Sequence, residues 1–418
     1  MTVYDRRGPA WRSATQVWSA ALILFVITIV IGILNGLDIY DPPRDTLLTH
    51  VHAGTLGWIT LAVFGAALLA FTRGQSPGAA ETRGVNRMAW AMIIGIALYV
   101  AAFWLGDSIG GNRIQRPIVG TLLFIIIVWT LVWMIRQIRG GSTVPKMALL
   151  LSWVSLFVGA ILGVLLGVFS SQGSIPGLSD ETAASLAFAH PPAMIIGFLI
   201  LAGLGIAEWT LRDEEITGRN RTWGMAAVWV LFAAGMLVNV AFIARMEDQL
   251  LGPANMLQFV AIIIFVVRLW PELRLSSWAG SGALGFPRLT TLFLVVNLFL
   301  FAYLISQLVS GNFNIDNPTP QNLGLLLSLD HFMFIGVATN ALFGAIALGL
   351  KGRSLDFGDR LVIWGVNLGL LGFALGLITV TPWLKRVSTP VMGLALLWGI
   401  YAYVKDLSAA DGPAPAGA

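Results

Sequence analysis

The chain of 418 residues is 57% hydrophobic and 11% charged, with a mean hydropathy of +0.82. These values exclude an ordinary soluble domain and leave room for about a dozen membrane spans of ~20 residues each. The absence of cysteine from the sequence excludes disulfides, iron–sulfur clusters and Cys-ligated zinc or haem. The net charge of +4 does not indicate nucleic acid, because basic residues in a membrane protein mainly set its orientation.

Apolar runs bounded by charged residues, Gly and Pro predict twelve membrane-spanning helices. Their approximate ranges are 15–36, 47–71, 87–106, 116–136, 147–170, 183–210, 222–244, 251–270, 288–310, 322–350, 360–381 and 387–405. We therefore predict an all-α integral membrane protein in which residues 1–407 form a single twelve-span domain. The tail 408–418, rich in Ala, Gly and Pro, is predicted to be disordered.

Lys and Arg residues are distributed unevenly between alternate loops of this predicted topology. Nineteen of the 25 lie on one side of the membrane. The other six are Arg44, Arg113, Arg116, Arg245, Lys385 and Arg386. Because cytoplasmic loops are enriched in Lys and Arg, both termini are predicted to be cytoplasmic. The polar segment 1–12 precedes a span without a small-residue cleavage site, so it is not predicted to be a signal peptide. This topology suits a multi-pass protein of a bacterial inner membrane, with the lipid bilayer as its main partner.

Only four histidines are present, and all four lie inside predicted spans. His50 and His52 fall in the second span, His190 in the sixth and His331 in the tenth. These spans run in the same direction, so the four side chains are expected in one layer roughly 5–14 Å below the outer surface. Their recurrence at every fourth span suggests three four-helix arcs with pseudo-threefold symmetry. An imidazole in hydrocarbon is costly unless it is bound, which makes each histidine a functional candidate.

The two histidines of the second span cannot both face one pocket, because helix positions two apart diverge by about 200°. His50 shares its face with Ala53, Gly54 and Gly57, whose small size would let a flat macrocycle approach. The same small residues are also the usual means of close helix packing in membranes. Each histidine therefore has an alternative reading as a side chain hydrogen-bonded to a neighbouring helix.

The sixth and tenth spans place unusual residues next to their histidines. Pro191 and Pro192 follow His190 and remove backbone donors, which either turns the histidine inward or only kinks the helix. Asp330, next to His331, is an intramembrane carboxylate that needs a partner.

Two further groups of side chains could take part in ligand binding. Met333 could ligate a metal or pack in the core. Lys385 and Arg386 lie at the same predicted outer end as the histidines and suit an anionic ligand, although a solvated loop would show the same pair. Arg113 and Arg116 form a second outer pair with the same two readings.

Twelve spans with histidines on the second, sixth and tenth resemble subunit I of the haem–copper oxidase and nitric oxide reductase superfamily. The resemblance implies that His50 or His52 ligates a low-spin haem and that His331, in His-Phe-Met-Phe, holds haem iron. It implies that His190, in His-Pro-Pro-Ala-Met, corresponds to a copper ligand. It also implies that Lys385 and Arg386 correspond to the arginine pair that meets the haem propionates between spans 11 and 12.

The sequence departs from this family at its copper site. The seventh span has no histidine, Pro192 and Met194 replace a glutamate and a tyrosine, and Met333 replaces a second histidine. A single histidine cannot supply the three nitrogens that the copper ion requires. The resemblance therefore does not extend to a proton-pumping oxygen reductase, and copper binding is doubtful. The chain is also similar to short, ligand-poor oxidase-like proteins and bacterial nitric-oxide-response proteins.

The sequence thus predicts a membrane protein related to oxidoreductases that binds one or two b-type haems. Its role would be electron transfer or binding of nitric oxide or oxygen, with a cytochrome c or quinol donor and further membrane subunits as candidate partners. No tyrosine lies in spans 2, 6 or 10, so His331 is the expected ligand of span 10, with Met333 as the alternative. His52 is favoured over His50 because it lies deeper, and His190 remains a distal or metal-free residue. The rival hypotheses are a haem-free transporter and a protein that handles copper or another metal through the same histidines.

Overall fold

The computed structural model describes residues 10–73, 78–107, 112–138, 141–212, 218–274, 282–313, 317–352 and 354–410. Within these ranges twelve helices are long and apolar enough to cross a membrane, and no strand occurs. They are α1 Trp11–Gly36, α2 Arg44–Thr72, α3 Ala79–Trp104, α4 Gln115–Gln137, α5 Val144–Gln172, α6 Asp180–Leu211, α7 Gly218–Ala244, α8 Glu247–Leu273, α9 Gly285–Val309, α10 Pro320–Lys351, α11 Phe357–Ile378 and α12 Pro382–Ala410. The predicted all-α, twelve-span fold is confirmed. The orientation of the termini stays a prediction.

Several helices begin where the sequence provides a side-chain cap for the first turn. The Ser179 hydroxyl accepts the Thr182 N–H at 3.2 Å at the start of α6. The Thr319 hydroxyl accepts the Asn322 N–H at 3.3 Å at the start of α10. Asp356 begins α11 through a reciprocal capping box with Asp359. These caps satisfy N–H groups that have no partner inside the helix. They therefore fix the register in which the following apolar residues enter the bundle.

The three helices that carry the histidines are the most buried ones. In an apolar stretch of 18 residues taken from each helix, buried residues make up 89% in α2, 83% in α6 and 89% in α10. In the other helices they make up at most 50% of such a stretch. Each of the three also contains eight residues with wide π-helical turns. These segments are Ala53–Thr60 in α2, Ala193–Ile200 in α6 and Phe332–Thr339 in α10. Because π-helical turns often mark functional sites, they direct attention to these three spans.

The chain forms two compact units, Met1–Ala89 with Gly280–Ala418, and Trp90–Ala279. In the first unit α11 packs along α12, and α1 contacts both α2 and α12. The Trp18 indole of α1 donates to the Ala62 carbonyl of α2 at 3.0 Å. In the second unit α7 packs along α8, while α5 contacts α4 and α6. The single twelve-span domain and the three arcs stay predictions.

Helix α12 is longer than the apolar run that predicts it. It begins at Pro382, so Lys385 and Arg386 lie in its first turn instead of a preceding loop. At its other end it extends to Ala410 and includes the first residues of the predicted tail. Residues 411–418 of that tail and residues 1–9 of the basic N-terminal segment lie outside the described part of the chain.

Candidate functional site

The first unit contains a cavity of about 320 Å³ between α1, α2, α10, α11 and α12. This volume lies in the range of small-molecule binding sites. Most of its wall is apolar and includes Phe25, Ile29, Val51, Trp58, Phe334, Phe373, Met392 and Leu396. Four titratable side chains, His50, Asp330, His331 and Lys385, also line it. The cavity therefore brings together candidates from spans 2 and 10 with one of the two predicted cations.

His50 is held against α1 by two reciprocal hydrogen bonds. Its ring Nδ1 lies 2.9 Å from the Thr28 carbonyl oxygen, and the Thr28 hydroxyl donates to the His50 carbonyl at 2.9 Å. A carbonyl can only accept, so Nδ1 carries the proton and Nε2 keeps its lone pair. Gly32, one turn further along α1, leaves space for the ring, because a Cβ there would stand 3.2 Å from His50 Cε1. The sequence of α1 thus fixes both the tautomer and the position of His50.

His331 has the same tautomer, which is fixed by a carbonyl of its own helix. Its Nδ1 lies 2.7 Å from the Leu327 carbonyl oxygen, so Nε2 again carries the lone pair. The ring also contacts Phe373 of α11, with 4.8 Å between the ring centroids. An imidazole whose Nδ1–H is bonded to a backbone carbonyl and whose Nε2 is unprotonated is the usual form of a metal-ligating histidine. Both cavity histidines therefore have the form in which an imidazole can ligate a metal.

The indole of Trp58 connects the cavity wall to the π-helical segments of α2 and α10. Its Nε1–H donates to the Thr339 hydroxyl at 2.9 Å, and its ring stacks on Phe25 with centroids 4.9 Å apart. The Thr339 hydroxyl in turn donates to the Phe334 carbonyl, five residues earlier, at 2.8 Å. A buried tryptophan with its N–H satisfied in this way holds the two helices in one fixed register.

The two predicted cations share one carboxylate from the connection between α1 and α2. Lys385 Nζ donates to Asp38 Oδ1 at 2.5 Å, and Arg386 Nε donates to Asp38 Oδ2 at 2.8 Å. These contacts hold the pKa of the Asp38 carboxyl below its usual value of 3.8. Lys385 lines the cavity together with Asn35 and Pro42. The group formed by Asp38, Lys385 and Arg386 consequently carries a net positive charge.

His52 and Met333 lie elsewhere in the first unit. His52 Nδ1 bonds to the Leu48 carbonyl of its own helix at 2.7 Å, and the described residues around the cavity do not include it. Met333 is 2% exposed and packs in the core, likewise outside the cavity wall. The preference for His52 and the alternative role of Met333 stay predictions, but the cavity favours His50.

His190 lies in the second unit, in surroundings that repeat those of His50. Its Nδ1 is 2.9 Å from the Gly159 carbonyl of the preceding span, and a Cβ at Gly163 would stand 3.2 Å from its Cε1. In both cases the histidine bonds to a backbone carbonyl of the previous span. Its ring also lies over a glycine of that span, four residues after the residue that provides the carbonyl. His190 therefore has the same unprotonated Nε2 as His50. Its prolines, Pro191 and Pro192, are accommodated at the end of the α-helical part of α6.

Two features of the site were missed by reasoning from the sequence. Asp38 had no local signal, because its cationic partners lie almost 350 residues further along the chain. The likeness between the surroundings of His50 and those of His190 did have a signal, the shared spacing His-x-x-Ala-x-x-x-Gly. His50, Ala53 and Gly57 have this spacing, and His190, Ala193 and Gly197 repeat it. Comparing these stretches would have identified His50 as the counterpart of His190.

The described residues contain no group of three or more His, Cys, Asp or Glu side chains that could hold a metal ion. Two histidines with a macrocycle between them would not form such a group, since a porphyrin supplies four of the nitrogen ligands of its iron.

Fold and cavity together define a multi-pass membrane protein whose histidine-bearing spans are the buried ones. No family model matches the sequence. Among characterised proteins the chain is similar to a "Cytochrome c oxidase subunit 1 homolog, bacteroid" from Bradyrhizobium diazoefficiens. The two are 33% identical over 82 residues, which is 19% of this chain and 14% of the length of that relative. This partial similarity supports an oxidase-like membrane protein.

Proposed function

We propose that the protein binds one b-type haem in the cavity of the first unit, where His50 and His331 would hold the iron and the haem would supply one-electron transfer. The observation that carries this proposal is that one mostly apolar cavity contains two imidazoles in the same tautomer. Each presents an unprotonated Nε2 because a backbone carbonyl fixes its Nδ1–H. The partial similarity to an oxidase subunit 1 homologue supports the same assignment.

The remaining residues of the cavity fit a haem. Phe25, Ile29, Val51 and Leu396 offer apolar surface to a macrocycle. Gly32 provides space for the ring of one ligand. Lys385 in the wall, with Arg386 next to it in the chain, suits carboxylate side chains of the ligand. Apolar walls, two imidazoles and a cationic end together suit the apolar ring, the iron and the carboxylates of a haem.

Of the two roles that the sequence left open, ligation by two histidines would favour electron transfer. A haem with two axial side chains is low-spin and suited to one-electron transfer, whereas gas binding needs an open position. His50 and His331 would occupy both positions, and their fixed rings would keep the same ligands in both oxidation states. Copper is not part of this proposal, because the seventh span contributes no histidine to a copper site.

Purification of the chain from cells supplied with a haem precursor tests the proposal. We expect a Soret band and one b-type haem per chain in the haemochrome assay, because the cavity presents one pair of ligands. A preparation that is folded and monodisperse but lacks haem would contradict the proposal. It would leave the haem-free transporter and the metal-handling protein as the remaining hypotheses.

A further inference from the structure

The connection between α1 and α2 contributes a charged residue to the end of the cavity. Asp38 adopts a left-handed backbone conformation with φ of 57°, which Asp tolerates better than most residues. The turn around it is fixed by backbone bonds from the Asp38 N–H to the Asn35 carbonyl at 3.0 Å and from the Ile39 N–H to the Leu34 carbonyl at 3.0 Å. The Asp38 carboxylate is consequently held in place by its own backbone.

The contacts of Asp38 use only part of the donor capacity of its partners. Lys385 donates one of its three Nζ–H groups, and Arg386 donates its Nε–H. Such an arrangement leaves N–H groups on both cations to meet a second carboxylate. Because Asp38 fixes one donor of each, it restricts the rotamers of two long side chains that would otherwise be mobile. Ordering before binding lowers the entropy that a ligand must overcome.

Exposure and charge agree with an orienting role. The side chains of Lys385, Asp38 and Arg386 are 21%, 40% and 55% exposed. Ion pairs this accessible to water contribute little to the stability of a fold. Within this group of three side chains, two cations against one carboxylate leave one positive charge. That charge matches an anionic group on a bound molecule instead of cancelling internally.

We propose that Asp38 is a positioning residue that orients Lys385 and Arg386 toward the carboxylates of the molecule bound in the cavity. This inference rests on the proposed haem function and adds to it the residue that organises the anionic end of the site. Asp38 itself does not touch the ligand in this arrangement. Its effect on binding passes through the two cations.

The test compares Asp38→Asn with Asp41→Asn in the full-length, haem-loaded protein. Both changes remove one negative charge from the same connection, but Asp41 is exposed and has no ion pair with either cation. Transfer of haem to an excess of a soluble haem-scavenging protein gives the dissociation rate. We expect Asp38→Asn to dissociate haem about fivefold faster, because roughly 1 kcal/mol of orientation is lost. Asp41→Asn should match the unmodified chain, and Asp38→Glu should restore at least part of the slow dissociation.

A double-mutant cycle separates positioning from a general effect on the fold. In a Lys385→Ala, Arg386→Ala background, Asp38→Asn should have no further effect on dissociation, because the side chains it orients are gone. If Asp38→Asn accelerates dissociation equally in that background, the proposal is overturned. Slower dissociation in Asp38→Asn alone would also overturn it, because Asp38 would then compete with the ligand for the two cations. If haem is retained and the Asp38 and Asp41 variants behave alike, only this inference fails. If the unmodified protein binds no haem, the proposed function fails with it.

Discussion

Replacing His50 or His331 by Ala should each abolish low-spin haem, whereas His52→Ala should retain it. His50 and His331 line the cavity with unprotonated Nε2 atoms, whereas His52 is not among the residues that line it. Loss of an axial ligand leaves the iron five-coordinate or prevents haem retention altogether. Optical spectra of the three variants, purified in parallel, report the outcome directly.

His52→Ala is a closely matched control, because it removes the same side chain two residues away in the same helix. His190→Ala, in the second unit, should likewise leave the low-spin spectrum in place. Loss of low-spin haem in His52→Ala with a normal spectrum in His50→Ala would reverse the assignment in favour of the deeper histidine. A normal spectrum in His331→Ala would show that His331 of α10 does not ligate the iron.

The largest effect on stability is expected in the second unit, where a buried ion pair connects α6 and α8. Arg268 donates from two guanidinium nitrogens to the two Glu208 oxygens at 2.7 and 2.8 Å, and the two side chains are 5% and 2% exposed. The Arg268 Nε–H also bonds to Asn220 of α7 at 3.0 Å. Glu208→Ala or Arg268→Ala leaves an uncompensated buried charge, which costs about 3–5 kcal/mol. Unfolding of each variant in detergent, followed by circular dichroism, measures the loss.

Two further variants identify the origin of that loss. The double replacement Glu208→Leu with Arg268→Met should recover much of the stability, because it removes both charges together. Asp107→Asn breaks an exposed ion pair with Arg113, in which the Asp107 side chain is 52% exposed. This change should cost at most about 1 kcal/mol. Single variants of the buried pair as stable as Asp107→Asn would show that the charges are not buried in the folded protein.

The twelve helices could be predicted because each apolar run is long enough to cross a bilayer and is bounded by charge, Gly or Pro. The same reasoning located all four histidines inside spans. It could not decide between His50 and His52, since helical periodicity shows only that they face different ways. What favours His50 in the structure is its place in the cavity wall against the Thr28 carbonyl of α1, a contact between helices that no local pattern of α2 contains.

Other parts of the site depend on similar long-range contacts. Asp38 looks like an ordinary loop carboxylate until the fold brings it to Lys385 and Arg386. The Glu208–Arg268 pair joins two residues 60 positions apart inside otherwise apolar runs. The depth argument that favours His52 considers only the level of a ring along its helix, whereas the position of the ring also depends on its hydrogen-bond partner. Two sequence signals point to His50, namely the small residues on its face and the internal comparison of the histidine-bearing spans.

The central claim is that His50 and His331 together ligate one haem, and electron paramagnetic resonance of the oxidised, purified protein tests it most directly. Two imidazole ligands predict a single low-spin ferric signal of the bis-histidine type, in an amount equal to the haem b content. A high-spin ferric signal would show that one of the two histidines is not bound to iron. A low-spin signal accompanied by the optical charge-transfer band of a methionine ligand would place a methionine, Met392 of the cavity wall or Met333 of α10, on the iron in place of one histidine and would contradict the account.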